Sequence, residues 1–371
     1  MHSSSVSGSR PCLNSSNSKL PLKALALSTA ILPFHSINAS KNLYQFDTVI
    51  NENKLVVVAV ENPTIVFDKG AHPHGFGYDL ARDYADSLNV QLEFTTVKDN
   101  ATALKMMQAG HANFAMTTSD LQTIERKNLA SIVATCGDTS VLTKNGLDAN
   151  IRWVFKNAND PLSQNANTYI CRTKQNGTLA QLASFYNQNV VEDSAWDTIQ
   201  RDLSKRMPIY KASFQSNAQT YDIDWHLLAA IGYQESYLKP NSISPTGVRG
   251  LMMLTNNTAR AMGVADRTDP TQSIQGGAKY YDLMLSQYAD IPYPDRNWYA
   301  LVAYNMGPGA VSQIQKRLKV QGKDPNSWID LYSYLDRNKA SNSRYGQATK
   351  YVTRIRSYLE HIKSTPQLVN I

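Results

Sequence analysis

The spacing pattern of the chain changes once, and that change limits its fold more than any other feature. Up to about residue 116, strand-like and helix-like stretches alternate, while from Asp222 onward only helical spacing is found. Lys54 to Val60 (Lys-Leu-Val-Val-Val-Ala-Val) is a β-branched run of the kind that forms a buried strand. Gly77 to Ala81 opens a helix that continues through Tyr84 and Leu88. From Val90 to Val97, apolar Val90, Leu92 and Phe94 alternate with Gln91, Glu93 and Thr95, which predicts a second strand. A helix around Ala103 to Ala109 leads through Gly110 to a third strand near Asn113 to Met116. Such alternation predicts an α/β unit with a largely parallel sheet. Further on, Ile274, Ala278, Tyr281, Leu285 and Tyr288 mark a helix over Thr271 to Ala289. Shorter helices are expected at Asn297 to Met306 and Val311 to Leu318, and a last one at Gln347 to Ile362. Residues 187–215 read as a polar, partly helical connection. With 371 residues the chain has room for about two domains. The expected division is a leader over 1–40, an α/β domain over 45–195 and an all-α domain over 210–371.

The leader is expected from its composition. Lys19 and Lys23 precede the apolar run Ala24 to Leu32, and the small residues Asn38-Ala39-Ser40 follow, the layout of an export signal. The run is too short to span a bilayer by itself. A periplasmic location is therefore expected. Beyond the leader two cysteines remain, Cys136 and Cys171. An oxidising compartment would allow them to pair, and their positions do not decide it. The formal net charge of +7 is unevenly spread. Residues 41–204 hold 14 basic and 18 acidic side chains, and residues 205–371 hold 20 and 12. The second part is thus basic by eight and favours an anionic polymer. Nucleic acid is not the expected one, because no helix-turn-helix pattern, basic arm or zinc spacing is present. No metal or cofactor is expected.

One acid stands where an apolar residue belongs. Leu228, Ile231 and Glu235 are spaced i, i+3 and i+7 along Trp225 to Leu238, so a carboxyl shares the core-facing stripe of a helix that Asp222 or Asp224 can cap. Burial disfavours the ionised form and raises the pKa, which is what a general acid needs near neutral pH. A glutamate that reaches solvent at a groove edge is the plain alternative.

Two resemblances add to this reading. The first part resembles the first lobe of periplasmic solute-binding proteins of the amino-acid type. Gly75-Phe76-Gly77-Tyr78-Asp79-Leu80 fits their Gly-x-x-x-Asp-Leu, and Thr123-Ile124-Glu125-Arg126 fits their Thr-x-x-Arg. The resemblance implies a small-ligand role for Arg126, whose guanidinium suits a carboxylate. Only about 25 residues separate Arg126 from Trp153, which opens the segment that closes such a domain, so the second lobe is expected to be largely missing.

The second part resembles lytic transglycosylases with a soluble-type catalytic domain, and in wording their membrane-bound lytic murein transglycosylase F branch. The motifs stand in order: Glu235-Ser236, then Ser244-Pro245-Thr246-Gly247-Val248-Arg249-Gly250-Leu251-Met252-Met253-Leu254, then Ala303-Tyr304-Asn305-Met306-Gly307, then Tyr351-Val352. This resemblance implies a lysozyme-like helical fold, a peptidoglycan glycan strand as substrate and peripheral attachment to the outer membrane. It implies Glu235 as the single acid and base, first protonating the bond between N-acetylmuramic acid and N-acetylglucosamine, then closing a 1,6-anhydro ring. It further implies substrate contacts from Ser236 (a residue that at such a position more often stabilises its own helix), Ser244 (toward the N-acetyl group), Met252, Met253, Tyr304, Asn305 and Tyr351, with the Tyr304 hydroxyl approaching the carboxyl. Many relatives carry glutamine at the Met253 position, and a common upstream glutamate is here Gln347. A lysozyme-type hydrolase and a small-molecule-binding sensory protein are the competing readings.

Overall fold

A computed structural model of the chain describes residues 45–369, so the expected leader lies outside the described residues. The first part runs α1 (Gln45–Glu52), β1 (Lys54–Val60), α2 (Phe76–Ser87), β2 (Gln91–Val97), α3 (Asn100–Ala109), β3 (Phe114–Thr117), α4 (Leu121–Glu125), β4 (Ala130–Val133), α5 (Ser140–Thr143), β5 (Arg152–Phe155), α6 (Pro161–Gln175) and α7 (Thr178–Phe185). The strands form one sheet in the order β2-β1-β3-β5-β4. β1 has a parallel neighbour on each side, Lys54 opposite Gln91 and Val57 opposite Phe114. Leu55, Val57, Val58 and Ala59 are accordingly fully buried, as a central strand of a covered sheet requires. β2 lies at an edge and turns Gln91 and Glu93 outward.

The expectation of a largely parallel sheet needs one correction. β5 runs antiparallel to both β3 and β4, with Ala115 opposite Val154 and Ala130 opposite Phe155. Its pairing is made with strands distant in sequence, which a local pattern does not reveal. Among the described residues there is no second sheet. Cys136, just after β4, is joined by a disulfide to Cys171 of α6, with Cα atoms 5.0 Å apart.

The second part is all helical: α8 (Asp193–Tyr221), α9 (Trp225–Ser236), α10 (Asn256–Met262), α11 (Pro270–Gln287), α12 (Asp295–Met306), α13 (Pro308–Val320), α14 (Trp328–Asn338), α15 (Ser343–Ser364) and α16 (Pro366–Val369). The polar connection expected over 187–215 is instead mostly the long helix α8. Its apolar stripe is thin (Ile199, Leu203, Met207, Phe214, Ala218), and Pro208 interrupts the run, so composition concealed it. Packing against α9 and α11 supplies the stability that its propensity lacks.

The two parts pack as one unit. Arg82 of α2 reaches Asp295 at the start of α12 at 2.7 Å and Asp79 on its own helix at 3.4 Å. The Tyr186 hydroxyl donates to Asp79 at 2.6 Å. Burial raises the Asp295 carboxyl despite the adjacent guanidinium, which is itself raised by the acids around it. A second link passes through α15. Fully buried Arg356 donates to both carboxylate oxygens of Glu360 at 2.7 Å and to the Asn187 carbonyl, and Glu360 meets His74 Nε2 at 3.1 Å.

Candidate active site

α9 starts where Asp224 accepts the His226 amide at 2.9 Å, and Lys363 of α15 pairs with the same carboxylate. Leu228 and Ile231 are fully buried, so the stripe that carries Glu235 does face the core. Glu235 follows at the end of the helix, where one side of it remains open to solvent. Its Oε1 accepts a hydrogen bond of 2.6 Å from the Tyr351 hydroxyl of α15. Burial pushes the Glu235 carboxyl up to about 7, and the tyrosine hydrogen bond opposes this only in part. No other acid contributes to that shift. The phenol of Tyr351 is raised well above its ordinary value by burial and by the neighbouring carboxylate, so it remains a proton donor in the bond.

The segment between α9 and α10 supplies the adjoining wall. Gly250 has φ +90°, and a Cβ there would stand 1.8 Å from the Arg267 carbonyl, so only glycine fits this turn. The turn drives Leu251 and Met252 into the core. A Cβ on Gly232, one helical turn before Glu235, would lie 3.0 Å from Leu251 Cδ2 and 3.2 Å from Met252 Sδ. The Met252 amide donates to Ser273 Oγ at 3.1 Å, and the Met252 carbonyl accepts from the Tyr304 hydroxyl at 3.1 Å. This hairpin is thereby fixed to α9, α11 and α12 at once.

The expected site residues fall into two groups. Glu235, Tyr351, Tyr304 and the Met252-Met253 turn converge, with Tyr304 close enough to feel the Glu235 charge. Met253 is half-buried with a left-handed backbone (φ +48°), Asn305 is exposed and Ser244 is half-buried. Ser244 organises its own turn, accepting the Val248 amide at 3.0 Å. Three expectations are corrected, those for Met252, Ser236 and Arg126, and the one for Tyr304 is made more specific. The Tyr304 hydroxyl bonds the Met252 carbonyl, and it is Tyr351 that holds the carboxyl. Met252 is fully buried and has no surface for a sugar. Ser236 is buried too, its hydroxyl donating to the Gly232 carbonyl and accepting the Lys239 amide, both at 3.2 Å. Arg126 caps the C-terminus of α4, exposed, with its guanidinium turned back on the Gln122 carbonyl and Thr123 hydroxyl rather than presented to a ligand. Sequence reasoning missed Arg356, although the clue that exposed Glu235 is there as well: a charge four residues after Val352 and three before Leu359, on an apolar stripe.

Comparison with known proteins fits this division. Residues 55–189 match the family model described as bacterial extracellular solute-binding proteins, family 3, and residues 212–327 match the transglycosylase SLT domain. Tyr351 lies beyond both. The chain is 37% identical over 286 residues to a membrane-bound lytic murein transglycosylase F of Alcanivorax borkumensis, covering 73% of this chain and 60% of that protein. It is 41% identical over 231 residues to the protein of the same name from Stutzerimonas stutzeri, covering 58% of this chain and 47% of that one. The chain therefore spans about half to three-fifths of the length of these curated relatives. Among the described residues no helix is long and apolar enough to cross a membrane. With a family 3 solute-binding segment followed by a transglycosylase SLT domain, the chain is similar in sequence, over part of their length, to proteins named membrane-bound lytic murein transglycosylase F.

Proposed function

We propose that the helical part cleaves peptidoglycan as a lytic transglycosylase, with Glu235 serving first as acid and then as base. One observation carries the reading: a carboxyl raised to about 7 by burial and held by one tyrosine hydroxyl, with no other acid among the described residues contributing to that rise. Ordinary glycosidases place two carboxyl groups about 5–10 Å apart, one to donate the proton and one to attack or to activate water. A lone carboxyl suits a reaction that needs neither. Protonated Glu235 gives its proton to the glycosidic oxygen as the C1–O bond to the leaving sugar breaks. The resulting carboxylate takes the proton of the muramoyl 6-hydroxyl as its oxygen bonds to C1. Water is not consumed, and the carboxyl returns to its starting form. A pKa close to the working pH serves both transfers.

Tyr351 fixes the orientation of the carboxyl and stabilises its ionised form between the two steps. Ser244, Met253 and Asn305, which retain exposed surface, are assigned to the sugars, and Tyr304 to holding the wall. The disulfide fits an oxidising, periplasmic setting, and likeness to proteins named membrane-bound supports contact with a membrane, which we assign to the outer one, held peripherally. Substitution Glu235→Gln keeps the shape and removes the proton transfers. Release of soluble fragments from purified sacculi should fall about 10²–10⁴-fold, and a variant that digests sacculi at the wild-type rate would sink the proposal.

A further inference from the structure

One lysine of the helical part is nearly out of water and takes no part in the chemistry above. Lys363 lies near the end of α15 with its side chain 10% exposed, and its ammonium pairs with Asp224, the residue that caps α9. A lysine so placed is costly unless it is paired. The two oxygens of Asp224 are both engaged. Oδ1 accepts the His226 amide at 2.9 Å and stands 2.9 Å from His226 Nδ1, and Oδ2 takes Lys363. Burial acts to raise this carboxyl, yet the hydrogen bonds and charges of His226 and Lys363 hold it at about 2. The α/β part closes on the pair, since a Cβ on Gly70 would stand 2.9 Å from Lys363 Nζ. His72, His74 and Asp222 line the same cavity, with Arg296 of α12 acting on His72.

The pair stands at one end of a helix contact whose other end is the candidate active site. Asp224 caps the start of α9 and Glu235 lies near its end, while Lys363 lies near the end of α15 and Tyr351 in its first half. The contacts Asp224–Lys363 and Glu235–Tyr351 therefore set the two helices antiparallel. Their spans match, because 224–235 rises about 16 Å and 351–363 about 18 Å along a helix axis. Between these contacts the helices bury apolar side chains, Leu228 and Ile231 on one and Ile355 and Leu359 on the other, and Tyr233 meets Tyr358 edge-on with ring centroids 5.0 Å apart. An ion pair held out of water is satisfied in one register only, which an apolar seam by itself leaves less fixed. The titratable groups at the far end are the Tyr351 and Tyr304 hydroxyls, and the 2.6 Å bond from Tyr351 depends on that register. We propose that Lys363 and Asp224 are positioning residues: by fixing α15 on α9 they keep the Tyr351 hydroxyl on Glu235, and neither touches the substrate. For its kinetic consequence the proposal rests on the transglycosylase reading of the same domain.

The test is the titration of the Glu235 carboxyl by carbon NMR of glutamate-labelled protein, its signal assigned with Glu235→Gln. Lys363→Met and Asp224→Asn change the charge in opposite senses, and asparagine still caps a helix. Loss of register weakens the Tyr351 bond in both, so both should raise the Glu235 pKa by about half a unit. Turnover of soluble glycan strands should fall about threefold to tenfold in kcat, with KM unmoved. Lys363→Arg keeps the charge and should titrate as the wild type does. In a Tyr351→Phe background neither substitution should shift the carboxyl further. Shifts of opposite sign in Lys363→Met and Asp224→Asn would trace the effect to long-range charge and overturn the proposal. So would an unmoved carboxyl in both, or an added shift in the Tyr351→Phe background. Should Lys363→Met fail to fold, Asp224→Asn decides alone, because charge predicts a lower pKa there and register a higher one. If the wild type leaves glycan strands intact, the transglycosylase reading fails while the titration still decides the positioning role.

Discussion

Replacing Glu235 with glutamine should make the protein more stable, and increasingly so as pH rises. The carboxyl titrates near 4.5 when exposed and near about 7 in the fold. Below 4.5 both states hold the proton, and no penalty exists. Between the two values the folded chain keeps a proton that the unfolded chain has released, so stability falls with rising pH and levels off above 7. Integrating the shift gives a penalty of about 1 kcal/mol at pH 5 and about 3 kcal/mol at pH 8.5, an upper bound because one side of the group faces solvent. Glutamine does not titrate, and its carbonyl can still accept the Tyr351 hydroxyl. At about 2–4 °C per kcal/mol for chains of a few hundred residues, the variant should exceed the wild type by at most roughly 6–12 °C at pH 8.5 and by about a third of that at pH 5. Differential scanning calorimetry at both values measures the gap. A gap that stays constant with pH, or that shrinks as pH rises, would refute the claim that burial holds this carboxyl protonated.

Substitution Tyr351→Phe removes the hydrogen bond that favours the ionised form of Glu235, so the alkaline limb of the kcat/KM profile should move to higher pH while kcat falls about tenfold from lost orientation; an unmoved limb would count against the contact. Substitution Arg82→Ala leaves Asp79 and Asp295 facing each other without their cation and should cost about 3–5 kcal/mol in urea unfolding; a loss under about 1 kcal/mol would mean that the link between the two parts is dispensable. Converting Cys136 and Cys171 together to serine opens a loop spanning 35 residues, worth roughly 4 kcal/mol in the chain-entropy account, and thermal unfolding indistinguishable from wild type would contradict it.

What the sequence revealed depended on how local the cause was. The strand at 54–60 and the helix carrying Glu235 were legible because β-branched runs and i, i+3, i+7 spacing act within one element. The reversed direction of β5 was not, since it is decided by pairing with β3 and β4 across intervening chain. α8 was hidden by Pro208 and a polar face, and only its contacts with α9 and α11 explain it. Within the site, the motifs placed Tyr304 and Tyr351 near the acid but could not say which hydroxyl reaches it. That choice rests on α15, whose Arg356, Glu360 and Lys363 tie it to the α/β part and to Asp224. Met252 was read as a groove residue because its motif borders the acid. Its burial follows from the Gly250 turn, which the sequence shows only as a glycine.

The central claim is that one carboxyl performs both proton transfers without water. Mass spectrometry of the fragments released from purified peptidoglycan tests it directly. The account predicts muropeptides lighter by one water than the corresponding hydrolysis products, ending in 1,6-anhydromuramic acid, with no incorporation of oxygen when the digestion is run in ¹⁸O-water. Reducing ends that carry the heavy oxygen would contradict it and would assign the site to a hydrolase.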